Sequence, residues 1–107
     1  MKTELPKLKS KLTPKTTGMK ILNLSIKSVY FDQIRRGTKK EEYRKYNDYY
    51  IERCTYESDG KRYLVPFDAL VLYQGRRAMT VALTDITCEG GYFVFHLGDV
   101  LYPKNGS

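Results

Sequence analysis

A chain of 107 residues has room for one domain and one modest hydrophobic core. Its formal charge of +7 points toward a polyanion, yet Lys2, Lys7, Lys9, Lys11 and Lys15 crowd the first eighteen residues against one acid, Glu4, and the remainder carries 14 basic and 11 acidic residues, a net +3. Cys54 and Cys88 lack metal-ligand spacing and are too few for a disulfide scaffold, and the apolar runs are far too short for a membrane span or a secretory leader. A cytoplasmic protein with reduced thiols, no metal and no cofactor is the expectation.

Residues 1–18 place three leucines among lysine, threonine, proline and glycine, too little apolar surface to repay ordering, so they read as a flexible basic tail and residues 19–107 as the domain. Such an arm can touch nucleic acid or simply be solvated. From Lys20 to Ile26 the residues alternate, with Leu22, Leu24 and Ile26 on one face, as in a half-buried strand. Ser28 can cap a helix that runs to Arg36 and stops at Gly37. Its inward stripe is either Tyr30 with Ile34 or Phe31 with Ile34. Lys40 to Arg44 reads as a second strand, despite charges that lower its propensity. Between Asn47 and Cys54 the spacing of Tyr50, Ile51 and Cys54 allows a helical turn or two, and Glu57-Ser58-Asp59-Gly60 marks a turn.

Residues 61–66 fit neither pattern clearly. Ala69 to Gln74, Ala78 to Ile86 and Tyr92 to Leu97 are rich in β-branched and aromatic residues and are joined by glycine-containing turns, so they form two successive hairpins. The expected fold is α+β: about five to six mostly antiparallel strands, flanked by two or three short helices and curled into a small barrel, the economical way for so few residues to bury their strands.

The segment Gly37-Thr38-Lys39-Lys40-Glu41-Glu42-Tyr43-Arg44 carries the functional signal. Alternate side chains of a strand share a face, so Glu42 and Arg44 point the same way, with Lys39 at the entrance. A small domain must solvate such charges, pair them or use them on a ligand. Lys40 and Glu41 are expected on the outer face, serving solubility.

The chain also resembles the ASCH domain of the PUA-like superfamily. The likeness rests on a strand, then Tyr30-Phe31-Asp32-Gln33-Ile34, then Gly37-x-Lys39-x-x-Glu42-x-Arg44. Asn47-Asp48-Tyr49-Tyr50 followed by Arg53, Phe67-Asp68 before an apolar strand, and the closing His96-Leu97-Gly98-Asp99-Val100-Leu101 extend it over residues 19 to about 103. The resemblance implies a PUA-like β-barrel with these polar residues in a cleft, and RNA, nucleotide or modified nucleoside as partner. A bacterial branch with the same glycine-x-lysine element hydrolyses acetylated cytidine.

Three functional readings follow. In the first, Lys39, Glu42 and Arg44 bind a base or nucleotide: the guanidinium is a rigid fork of donors, the carboxylate accepts, and the ammonium is a mobile positive point. Tyr46 and Tyr50 would stack bases, Arg53 would hold phosphates, and Gln74, in the Gln74-Gly75-Arg76-Arg77 turn, would guard the cleft. The second is an amidohydrolase acting on an N-acylated cytidine-type nucleoside, with Lys39 as base or nucleophile or Glu42 as general base. Here Glu42 stands where that branch has a threonine, and its charge would favour a protonated Lys39. The third is a protein-interaction module with a tyrosine-rich surface. His96, on the strand face opposite Phe93, Phe95 and Leu97, is expected to be hydrogen-bonded and not a metal ligand.

Overall fold

The computed structural model describes residues 18–103. The expected tail therefore lies outside the described residues, apart from Gly18. The chain runs β1 (Ile21–Ser25), α1 (Ser28–Arg36), β2 (Glu41–Lys45), α2 (Asp48–Cys54), β3 (Thr55–Ser58), β4 (Lys61–Leu64), β5 (Ala69–Gln74), β6 (Arg77–Glu89) and β7 (Tyr92–Tyr102).

Five strands form one sheet in the order β1-β5-β6-β7-β2, and β3 and β4 form a separate two-stranded ribbon. β1 runs parallel to β5, while the other neighbours are antiparallel. The sheet is α+β in class and curls into a half-barrel with β1 and β2 as its two edges. The two helices among the described residues and the five strands of the curled sheet fall within the expected numbers, and the separate β3–β4 ribbon is an addition that had no clear sequence signal.

The turns follow from their residues. Asp59-Gly60 and Gly90-Gly91 each take positive φ at both central positions, the twist that joins two-residue hairpins, and Gly75 does so at the first position of the β5–β6 turn. The long pair β6–β7 shifts register three times. Between the pairs Leu83–Leu97 and Val81–Val100, Gly98 and Asp99 of β7 oppose Ala82 alone, a bulge that bends the sheet.

The concave face and α1 enclose the core. Leu22 and Leu24 of β1, Leu70 and Leu72 of β5, Met79 and Val81 of β6, and Phe93, Phe95 and Leu97 of β7 pack with Phe31 and Ile34 of α1 and Cys54 of α2. The inward stripe of α1 is thus Phe31 with Ile34, and Tyr30 is left exposed. Ser28 is the first helical residue and not the cap; Lys27 holds the cap position without a side-chain bond. Among the described residues no helix is long and apolar enough to cross a membrane.

Candidate ligand-binding hollow

Two local signals deliver the charged segment to the concave side. At the end of α1, Gly37 is left-handed (φ 85), its N–H donates to the Ile34 carbonyl at 3.0 Å, and the Thr38 N–H donates to Gln33 at 2.9 Å. This pair of bonds is the Schellman stop, and it turns the chain sharply into β2. β2 then pairs with β7 so that Glu42 lies opposite Phe95 and Arg44 opposite Phe93. Directly opposed residues share a face, so the two charged side chains occupy the same side as the buried phenylalanines.

There the charges satisfy one another. Glu42 is only 6% exposed. Arg44 approaches its Oε2 with Nε at 2.8 Å and Nη2 at 2.7 Å, a two-pronged grip from one fork. Lys39 Nζ stands 3.5 Å from the other oxygen, Oε1. The remaining reach of Arg44 goes to two other elements: Nη1 donates to the Tyr50 hydroxyl at 2.9 Å and Nη2 to the Ser25 carbonyl at 2.8 Å. Burial by itself lowers the Arg44 pKa, but the Tyr50 hydrogen bond and the Glu42 charge outweigh it, and the group ends above its ordinary value.

These residues open onto a hollow of about 420 Å³ lined by Ser25, Ile26, Lys27, Tyr30, Glu42 and Arg44. Lys39 Nζ sits 5.0 Å from the centroid of the Tyr30 ring. The hollow therefore offers an aromatic face and a carboxylate held in place by an arginine, and beside it stands a lysine ion-paired to that carboxylate. Its volume lies in the range of roughly 300–1,000 Å³ usual for small-molecule sites.

Of the residues named from sequence, Lys39, Glu42, Arg44 and Tyr50 are brought together. Tyr50 is placed by α2, whose cap residue Asn47 accepts the Tyr50 N–H at 3.0 Å. Tyr46, Arg53 and Gln74 lie outside this cluster, and of the seven residues only Glu42 and Arg44 line the hollow itself. Tyr46 packs its ring on Phe93 at 4.9 Å, and Arg53 lies 3.7 Å over the Tyr49 ring. Gln74 accepts from Arg77 at 2.9 Å, in a cluster where Arg77 also meets Asp32 at 2.9 Å. Tyr30 and the Ser25 carbonyl were missed; the helical spacing that allowed Tyr30 as a core residue equally allowed it as an exposed one.

On the opposite face, Glu41 is more than a solubilising charge. It accepts the Tyr43 hydroxyl at 2.9 Å and lies 3.4 Å from His96 Nδ1, whose other ring nitrogen is 2.9 Å from the Thr87 hydroxyl. The same Glu41 bond, followed by its charge, raises the Tyr43 pKa. Both cysteines are free thiols; burial pushes Cys54 up to about 11, while Cys88 is exposed.

No model of a known protein family matches this chain, and none of the curated proteins compared with it is significantly similar.

Proposed function

We propose that this chain is an ASCH-type, PUA-like domain that binds RNA or a nucleoside or nucleotide, including modified ones, in the hollow between α1, β1 and β2. The observation that carries the reading is the concave placement of the Glu42–Arg44 pair, with Lys39 and the Tyr30 ring at its mouth. A planar base would stack on Tyr30 in place of the Lys39 ammonium, and an exocyclic amine would donate to Glu42 Oε1. Displaced from the ring, Lys39 would turn to the phosphate or ribose. Arg44 would hold the carboxylate still, because its own donors are engaged by Glu42, Tyr50 and Ser25. The half-barrel with α1 across its concave side is compatible with the barrel-like fold that the resemblance implies. Hydrolysis of an acylated cytidine is the weaker reading, since Lys39 is engaged by Glu42 instead of standing free as a nucleophile.

NMR titration with a panel of nucleosides, nucleotides and short RNAs tests the proposal. Shifts should localise to Tyr30 and Lys39–Arg44. Tyr30→Ala should weaken binding by ~1–3 kcal/mol, a factor of roughly 5 to 150, as expected for loss of one stacked base. Silence across the whole panel would overturn the reading.

A further inference from the structure

A second hollow, of about 720 Å³, lies at the other end of α1, and its lining includes Arg35, Arg36, Gly37, Lys40, Gly98 and Asp99. Its three cations have no ion pair among the described residues, whereas Arg44, Arg62 and Arg77 each meet a carboxylate. The end of a helix attracts positive charge, which would by itself account for Arg35 and Arg36. The carbonyls of Gln33 and Ile34, however, are already taken by the N–H groups of Gly37, Thr38 and Lys39. The guanidinium donors are therefore left for another acceptor. Asp99 offsets one of the three charges, and the groove keeps a positive excess.

The two hollows are joined by sequence. Lys39 serves the first through Glu42, and the next residue, Lys40, lines the second. Along α1 the first hollow meets Tyr30 and the second meets Arg36, about 9 Å apart at the helical rise of roughly 1.5 Å per residue. That separation suits neighbouring parts of one extended ligand. Nothing stands within 4 Å of where a Gly37 side chain would begin, so a backbone can approach the turn closely. Planar guanidinium forks beside an ammonium suit phosphate oxygens.

We propose that this groove holds the phosphodiester backbone of a single-stranded RNA whose base occupies the Tyr30–Glu42 hollow. The inference rests on the base-binding reading, and its test separates the two. The full-length chain is titrated into a fluorescein-labelled oligouridylate over a range of salt concentrations and followed by anisotropy. The combined substitution Arg35→Gln, Arg36→Gln and Lys40→Gln should weaken binding roughly tenfold or more and flatten the salt dependence by about 2 in the log–log slope, near 0.7 for each lost single-strand phosphate contact. Asp99→Asn should tighten binding. Removing two exposed cations elsewhere, Lys61→Gln with Arg76→Gln, should leave the slope nearly unchanged, and the nucleoside-induced NMR shifts at Tyr30 and Lys39–Arg44 should survive in the triple variant.

An unchanged slope in the triple variant would overturn the groove as a backbone site, and so would an equal loss in the Lys61 and Arg76 control. Equal affinity for a labelled polyglutamate peptide would show an unselective acidic-ligand surface and overturn it likewise. If nucleoside shifts persist while any of these occurs, the groove alone fails; if they are absent, the base-binding reading fails with it.

Discussion

Glu42 sets two demands against each other, because a carboxylate that is 6% exposed has lost most of its water and must recover that loss from its neighbours. Arg44 supplies most of it and is itself only 15% exposed. Removing the acid leaves a guanidinium largely out of water with its main partner gone. Glu42→Ala should therefore lower stability by about 3 kcal/mol, the usual cost of breaking a largely buried pair. Lys39→Ala removes a longer, 3.5 Å contact at the solvent edge and should cost less than about 1 kcal/mol. Urea denaturation of both variants checks the contrast, and equal losses would mean that Glu42 is not held chiefly by Arg44. At this scale the sequence was readable where one strand decided the outcome: a period of two puts Glu42 and Arg44 on one face whatever the fold. It was not readable where two elements had to meet. Tyr30 and Phe31 are both compatible with Ile34 in a helical stripe, and only the docking of α1 on the sheet buries Phe31 and leaves Tyr30 beside the hollow. Tyr46 and Arg53 lie close to the motif along the chain, yet their rings and charges are taken up by Phe93 and Tyr49.

Among the elements, β6 and β7 depend on an accommodation that neither strand's own pattern reveals. A side chain at Gly98 would start 3.1 Å from Thr84 Cγ2 on the neighbouring strand, closer than ordinary contact. Gly98 does not have positive φ, so alanine is permitted by the backbone and only the methyl of Thr84 opposes it. Overpacking costs about 1–3 kcal/mol, while the loss of unfolded-chain freedom returns about 0.4–1 kcal/mol. Gly98→Ala should thus destabilise by about 1 kcal/mol. In a Thr84→Ser background, which deletes Cγ2, the same substitution should become neutral or mildly stabilising, and thermal or urea unfolding across the four-member cycle measures the reversal. The bulge at Gly98 and Asp99 explains why β7 runs past its expected end at Leu97, whereas β6 pairs in unbroken register from Ile86 to Glu89 and outruns its expected end because Cys88 and Glu89 read as part of the glycine turn. β5 has no such break, and its Ala69–Gln74 limits were legible. β3 escaped notice for another reason. α2 ends at Cys54 and Thr55 is already extended, so no glycine or proline separates helix from strand.

For the molecule as a whole, the sheet's order leaves β1 and β2 as edges that are not hydrogen-bonded to each other, and the Arg44 side chain spans the seam between them. It starts on β2, holds Glu42 on its own strand, and donates to Ser25 at the end of β1 and to Tyr50 on α2. One planar group thereby ties both edges of the half-barrel to the helix that follows β2. Lysine keeps the charge but offers a single ammonium, which cannot grip Glu42 with two prongs and reach the other two acceptors at once. Arg44→Lys should consequently loosen the seam more than it unfolds the domain. Amide exchange should quicken about tenfold in Glu41–Lys45 and Tyr50–Cys54, equivalent to ~1.4 kcal/mol of local opening, while the β5–β6 amides of Leu70–Leu72 and Met79–Val81 keep their protection. Hydrogen exchange followed by mass spectrometry or NMR resolves these segments. Uniform acceleration would mean that Arg44 supports global stability instead of the seam. No change at all would free the guanidinium from a structural duty and reassign it to direct contact with the ligand.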